Sequence, residues 1–150
     1  LEPSPPDRSI RLHGCVPDYA RALSLQGRFD RAEQVLRDRA PTATDLAGEP
    51  PGLRVRWVAE MSHALCGQAR HAEAERWLMD QRQGFRERGA SEVEQLALEA
   101  ERAVVMARAG RLPEALLQME AVAITHLRAR LAQLGMGADF RSTGQRRKGR

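Results

Sequence analysis

The sequence predicts an all-α fold, an array of about three αα-hairpins. Three observations point there. Ala, Leu, Glu and Arg dominate, while Phe, Trp and Tyr make up only 4% of the 150 residues; strands favour β-branched and aromatic side chains. Apolar residues recur at helical spacing, as in Ala103, Met106 and Ala107. A Gly-x-apolar-x-x-Ala pattern occurs three times: Gly27-Arg28-Phe29-Asp30-Arg31-Ala32, Gly67-Gln68-Ala69-Arg70-His71-Ala72 and Gly110-Arg111-Leu112-Pro113-Glu114-Ala115. Each copy reads as a helix end, a tight turn and a second helix. The glycine tolerates the left-handed backbone that closes a helix. Pro113 suits a first helical turn, where its missing N–H has no partner to lose.

The elements follow in order. Residues 1–16 read as an extended or disordered lead-in, with three prolines among the first nine residues. Within it, residues 10–15 also suit a short turn. The first helix is expected over 17–26, with Tyr19, Ala20 and Leu23 inward, and its partner over 30–39, burying Ala32, Val35 and Leu36. Phe29 is expected to plug that pair. Residues 41–52 carry Gly48 and Pro50-Pro51-Gly52 and read as a long loop. A third helix is expected over 53–66 and a fourth over 71–88, ended by Gly89. Ser91 and Glu94 form a capping box that opens a fifth helix running to Ala109. The sixth runs over 113–134. The helical domain is thus 17–134, and 135–150 has the composition of a flexible basic tail.

Composition excludes several classes. The net charge of +4 lies wholly in that tail, where Arg141, Arg146, Arg147, Lys148 and Arg150 face only Asp139; the other 134 residues balance at 19 basic and 19 acidic. The body therefore lacks the basic excess of a nucleic-acid binder. No apolar run approaches the roughly 20 residues of a membrane span, and no signal peptide is expected at the amino end. Two cysteines, Cys15 and Cys66, are too few for a disulfide framework and suggest free thiols in a reducing, cytoplasmic setting. The chain opens on Leu1, which suits a piece of a longer protein.

The repeated unit resembles the tetratricopeptide repeat. Ala20, Leu23, Gly27, Phe29 and Ala32 match that family's small, large, glycine, aromatic and alanine positions, as do Ala103, Met106, Gly110, Leu112 and Ala115. The small residues let paired helices approach closely. The middle copy departs: Glu60 and His63 stand at the small and large positions, and Ala69 at the aromatic one. The turn glycines lie 40 and 43 residues apart, longer than the family's 34. The resemblance covers about residues 17–134. It implies an interaction module of the long, degenerate kind appended to bacterial signalling kinases and transcriptional activators.

Candidate chemistry is sparse. His63, Cys66 and His71 cluster around a turn but do not match a metal-ligand spacing. Glu99 and Glu101 are two residues apart on a helix and face different sides. Phosphate-loop, dinucleotide and nucleophile-elbow motifs are absent. No cofactor or metal is expected, and no enzyme. Two apolar stripes are candidates for a protein or peptide partner. The first, Trp57, Met61 and Leu65, either lines a groove or packs on neighbouring helices. The second combines the heptad row Leu117, Ile124 and Leu131 with Leu127 and Leu134. Leu127, Leu131 and Leu134 have no later hairpin to cover them. They are expected to fold back on the body or to contact a partner, including a second copy. The tail residues Arg146, Arg147, Lys148 and Arg150 support an alternative, a nucleic-acid-associated adaptor, though Phe140 is their only aromatic neighbour. An all-helical enzyme is the second alternative. The principal expectation is a non-catalytic protein-interaction module within a larger bacterial regulator.

Overall fold

The computed structural model describes residues 6–40 and 51–135. They form six α-helices and no strand: α1 (Pro6–Leu25), α2 (Phe29–Asp38), α3 (Pro51–Gly67), α4 (His71–Glu87), α5 (Glu92–Arg108) and α6 (Leu112–Gln133). The expected loop falls mainly on residues 41–50, and the basic tail on 136–150; both lie outside the described residues.

Five helices begin and end within two residues of their expected bounds. The first does not. α1 starts at Pro6, so residues 6–16, expected as an extended lead-in, are helical. Pro17, expected at the start, lies inside the helix and is fully buried. A proline φ near −65° suits either place, so local sequence does not distinguish them. The interior position costs one backbone hydrogen bond, and the burial of the ring offsets part of that.

Each helix packs on the next in the chain. In addition α1 packs on α3 and α3 on α5, whereas α2, α4 and α6 do not pack backbone to backbone on one another, and α2 reaches α4 through the Arg37–Glu73 ion pair at 3.8 Å. The result is two layers, an inner row of first helices and an outer set of second helices. α3 is the hub, covered by α1, α2, α4 and α5.

The turns explain the regularity. Gly27, Ala69 and Gly110 have φ of 75°, 59° and 81°. In each turn the next residue's N–H donates to a carbonyl five residues earlier: Arg28 to Leu23 at 2.9 Å, Arg70 to Leu65 at 3.0 Å, Arg111 to Met106 at 2.9 Å. This bond closes the helix end around a left-handed residue. The three arginines then open the next helix with nearly the same backbone, φ −92°, −89° and −90°, ψ 58°, 53° and 56°.

These turns correct the register of the middle copy. Ala69 holds the turn position, not Gly67, and the turn residues are 42 and 41 positions apart. The shift by two places Ser62 level with Ala20 and Ala103, all three buried, and Leu65 level with Leu23 and Met106. Ala74 likewise falls level with Ala32 and Ala115. Glu60 and His63 are therefore not departures at the close-contact positions. The Ser62 hydroxyl, though buried, donates to the Ala59 carbonyl at 2.8 Å. A glycine-based alignment misses this because an alanine in left-handed backbone costs about 1–2 kcal/mol and is uncommon.

Gly67 has a different role. A Cβ there would run into the ring of Phe29. Phe29, expected to plug its own hairpin, instead lies against the end of α3 and pins the first hairpin to the second. The joint between α4 and α5 repeats the same turn, with Gly89 at φ 71° and the Ala90 N–H donating to the Phe85 carbonyl at 2.9 Å. The Ser91–Glu94 capping box then forms: the Glu94 N–H donates to Ser91 Oγ, and the Ser91 N–H to the Glu94 carboxylate at 2.9 Å.

Two outcomes follow for thermal melts. Ala69→Gly relieves the left-handed strain and raises stability by about 0.5–1 kcal/mol, roughly 2 °C, while Gly110→Ala lowers it by a similar amount. Gly67→Ala costs on the order of 1–3 kcal/mol by overpacking. In a Phe29→Ala background the Gly67→Ala loss shrinks towards zero; an equal loss in both backgrounds would place Phe29 elsewhere.

Candidate functional site

α6 is the least covered helix. Of its 22 residues only Ala115 is buried. At 100° per residue, Ala115, Gln118, Val122 and Ala129 mark the side that lies on α5. Around the rest, Leu112, Leu116, Leu117, Met119, Ile124, Leu127 and Leu134 are all exposed. Of the three sequence candidates here, Leu127 and Leu134 are open to solvent, at 59% and 68%, and Leu131 is half-buried. Single exposed leucines are ordinary, but a continuous apolar row on one helix is not.

The corrected register shows what this row is. Leu36 in α2 and Leu78 in α4 are 0% and 2% exposed, each on a helix covered by the next hairpin. The level position in α6 is Met119, 43% exposed. The neighbouring position holds Glu33 in α2 and Glu75 in α4. Each accepts from the cap arginine of the following hairpin, Arg70 at 2.6 Å and Arg111 at 2.5 Å. In α6 that position is Leu116. Sequence inspection missed these links because they appear only in the register with Ala69 in the turn.

The other apolar stripe is not a surface. Trp57, Met61 and Leu65 are 6%, 2% and 1% exposed and belong to the core. Of the two readings of this stripe, packing on neighbouring helices is the one found, and the partner-groove reading is corrected: α3 is packed by four helices, which leaves its apolar side no opening. Arg146, Arg147, Lys148 and Arg150 lie outside the described residues.

A polar cluster joins the inner row. Glu60, buried in α3, lies 3.9 Å from Arg21 of α1 and 3.8 Å from His63 Nδ1; His63 Nε2 lies 3.0 Å from Glu101 of α5. The hydrogen bond to Glu101 and the nearby Glu60 carboxylate outweigh burial and raise the His63 imidazole to about 9. Glu101 thus faces His63, while Glu99 pairs with Arg82 at 2.5 Å. A cleft of about 180 Å³ between α4 and α5 is lined by Leu78, Leu98 and three arginines. Those arginines are engaged: Arg82 with Glu99, Arg102 with Glu75, Arg86 with Gln95. The cleft is also smaller than the roughly 300 Å³ at which ligand pockets begin. Among the described residues no three His, Cys, Asp or Glu side chains are placed to hold a metal ion, and no helix is long and apolar enough to cross a membrane.

The His63 link has a pH signature. Its folded value lies above the unfolded one, so its contribution is whole below about pH 6.5 and lost as pH rises towards 9. Stability is expected to fall by about 2 kcal/mol across that window, allowing for partial exposure of the ring. His63→Gln should flatten the profile in pH-dependent denaturant melts; an unchanged slope would refute the ion pair.

No family model matches the chain, and no curated protein or solved structure matches it either.

Proposed function

We propose that the chain is a tetratricopeptide-like, non-catalytic protein-interaction domain, acting in the cytoplasm within a larger bacterial signalling or regulatory protein. Support for the repeat comes from three like turns 42 and 41 residues apart, with small buried residues at Ala20, Ser62 and Ala103 and again at Ala32, Ala74 and Ala115. The inner row of first helices and the outer second helices suit the same reading. Support for a non-catalytic role comes from the charged clusters, whose members engage one another instead of converging on an opening. The free thiols Cys15 and Cys66 suit a reducing compartment.

The observation that carries the proposal is the open face of α6. Its level positions in α2 and α4 are buried by another helix, so the same geometry in α6 offers a ready surface for a polypeptide. Burying one leucine stabilises a complex by roughly 1.5–3 kcal/mol.

A photo-crosslinking residue placed at Leu116 or Leu127 in the native host tests this. It is expected to join the protein to another polypeptide chain, while the same residue at exposed Arg31 or Arg76 is not. A folded protein that crosslinks at neither α6 position would end the proposal.

A further inference from the structure

We propose that the partner of α6 is the α6 of a second copy, packed antiparallel about Ala123. The proposal rests on the reading of α6 as a contact surface and names its occupant.

Two other occupants fit poorly. A further hairpin of the same kind would bring a cap arginine to the position held by Glu33 and Glu75. Leu116 stands there, so the glutamate–arginine link that joins each earlier hairpin to the next has no acceptor in α6. The chain's own carboxyl-terminal residues 136–150 carry five basic groups against one acid and only Met136 and Phe140 as large apolar residues. The second half of α6 already carries Arg128 and Arg130, so that segment would meet like charge.

A second α6 fits on three counts. The stripe formed by Leu112, Leu116, Met119, Ala123, Leu127 and Leu134 follows one helical face, beside the side lying on α5. It is symmetric about Ala123: Leu112 and Leu134 are equally far from it, as are Met119 and Leu127. Antiparallel pairing therefore sets apolar on apolar except at Leu116, which meets Arg130, and the small residue at the midpoint lets the axes approach. Charge agrees as well. Glu114 and Glu120 lie in the first half, His126, Arg128 and Arg130 in the second. Antiparallel copies keep the two acidic first halves apart, set Glu120 level with His126, and lay the stem of Arg130 along Leu116. Parallel copies would set like charges together. A contact limited to one 22-residue helix from each copy belongs to the small interfaces, so a dimer dissociating in the micromolar range is expected.

The experiment is sedimentation of the full chain across a wide concentration range, with helicity measured in parallel. Wild type is expected to move from monomer to dimer. Met119→Glu with Leu127→Glu should raise the dissociation constant roughly tenfold or more at unchanged helicity. In a Cys15→Ser background, Ala123→Cys should form a disulfide-linked dimer under mild oxidation, and Ala121→Cys, on another face, should not. If the double variant unfolds, the cysteine pair of variants decides. A chain monomeric at every concentration overturns the proposal, as does a dimer that survives the double variant or crosslinks equally through Ala121→Cys. A monomer whose Leu116 position still captures a different polypeptide removes the second copy but keeps the contact surface. A monomer that captures nothing removes both.

Discussion

A single residue of left-handed backbone at the end of each first helix governs how the helices meet. At Gly27, Ala69 and Gly110 the chain reverses within three residues, and one hydrogen bond across five positions sets the angle of departure. With the angle set, Ala20, Ser62 and Ala103 on one side and Ala32, Ala74 and Ala115 on the other come together. Any larger side chain there would hold the axes apart, and the packing of the next hairpin would be lost with it. The cost of an alanine in the middle turn is small against the burial of Leu65 and Leu78 that the turn permits.

Polar links then add specificity between hairpins. Glu33 is buried, which alone would push its carboxyl up. Hydrogen bonds from Gln68, Arg37 and Arg70 outweigh that and hold it below the ordinary range. Its counterpart Glu75 accepts from both Arg102 and Arg111. Removing one partner would strand a desolvated charge, a larger penalty than the net worth of the pair. These links tie the second helix of one hairpin to the cap of the next, while Phe29 against Gly67 and the His63–Glu101 contact tie the same hairpins at other points. The stack is therefore joined by apolar, ionic and steric contacts at separate places.

α6 departs from that series. It keeps the small residue Ala115 against α5 but exchanges the acceptor glutamate for Leu116 and leaves Met119 open. A repeat array normally ends on a polar face. The described helices instead become more apolar at α6, which makes that helix chemically unlike α2 and α4.

Much of the fold was legible from residues alone. Helical periodicity, the capping box at Ser91 and Glu94, and Gly89 and Gly110 as helix ends mark five of the six helices, because each signal arises within one turn of chain. The open row at Leu127 and Leu134 was legible too, since no later hairpin follows it in the described chain. Tertiary structure decided the rest. Pro17 became an interior residue, because a proline's φ suits both helix start and helix interior. Ala69 took a turn that composition assigns to glycine, because packing on both sides of the turn overrides a local cost of one or two kcal/mol. Trp57, Met61 and Leu65 became core, because the number of helices surrounding α3 is a property of the assembled stack and not of its stripe. Sequence determined which segments are helical and which faces are apolar; only the assembled fold decided which of those faces is covered, because burial depends on neighbours distant in the chain.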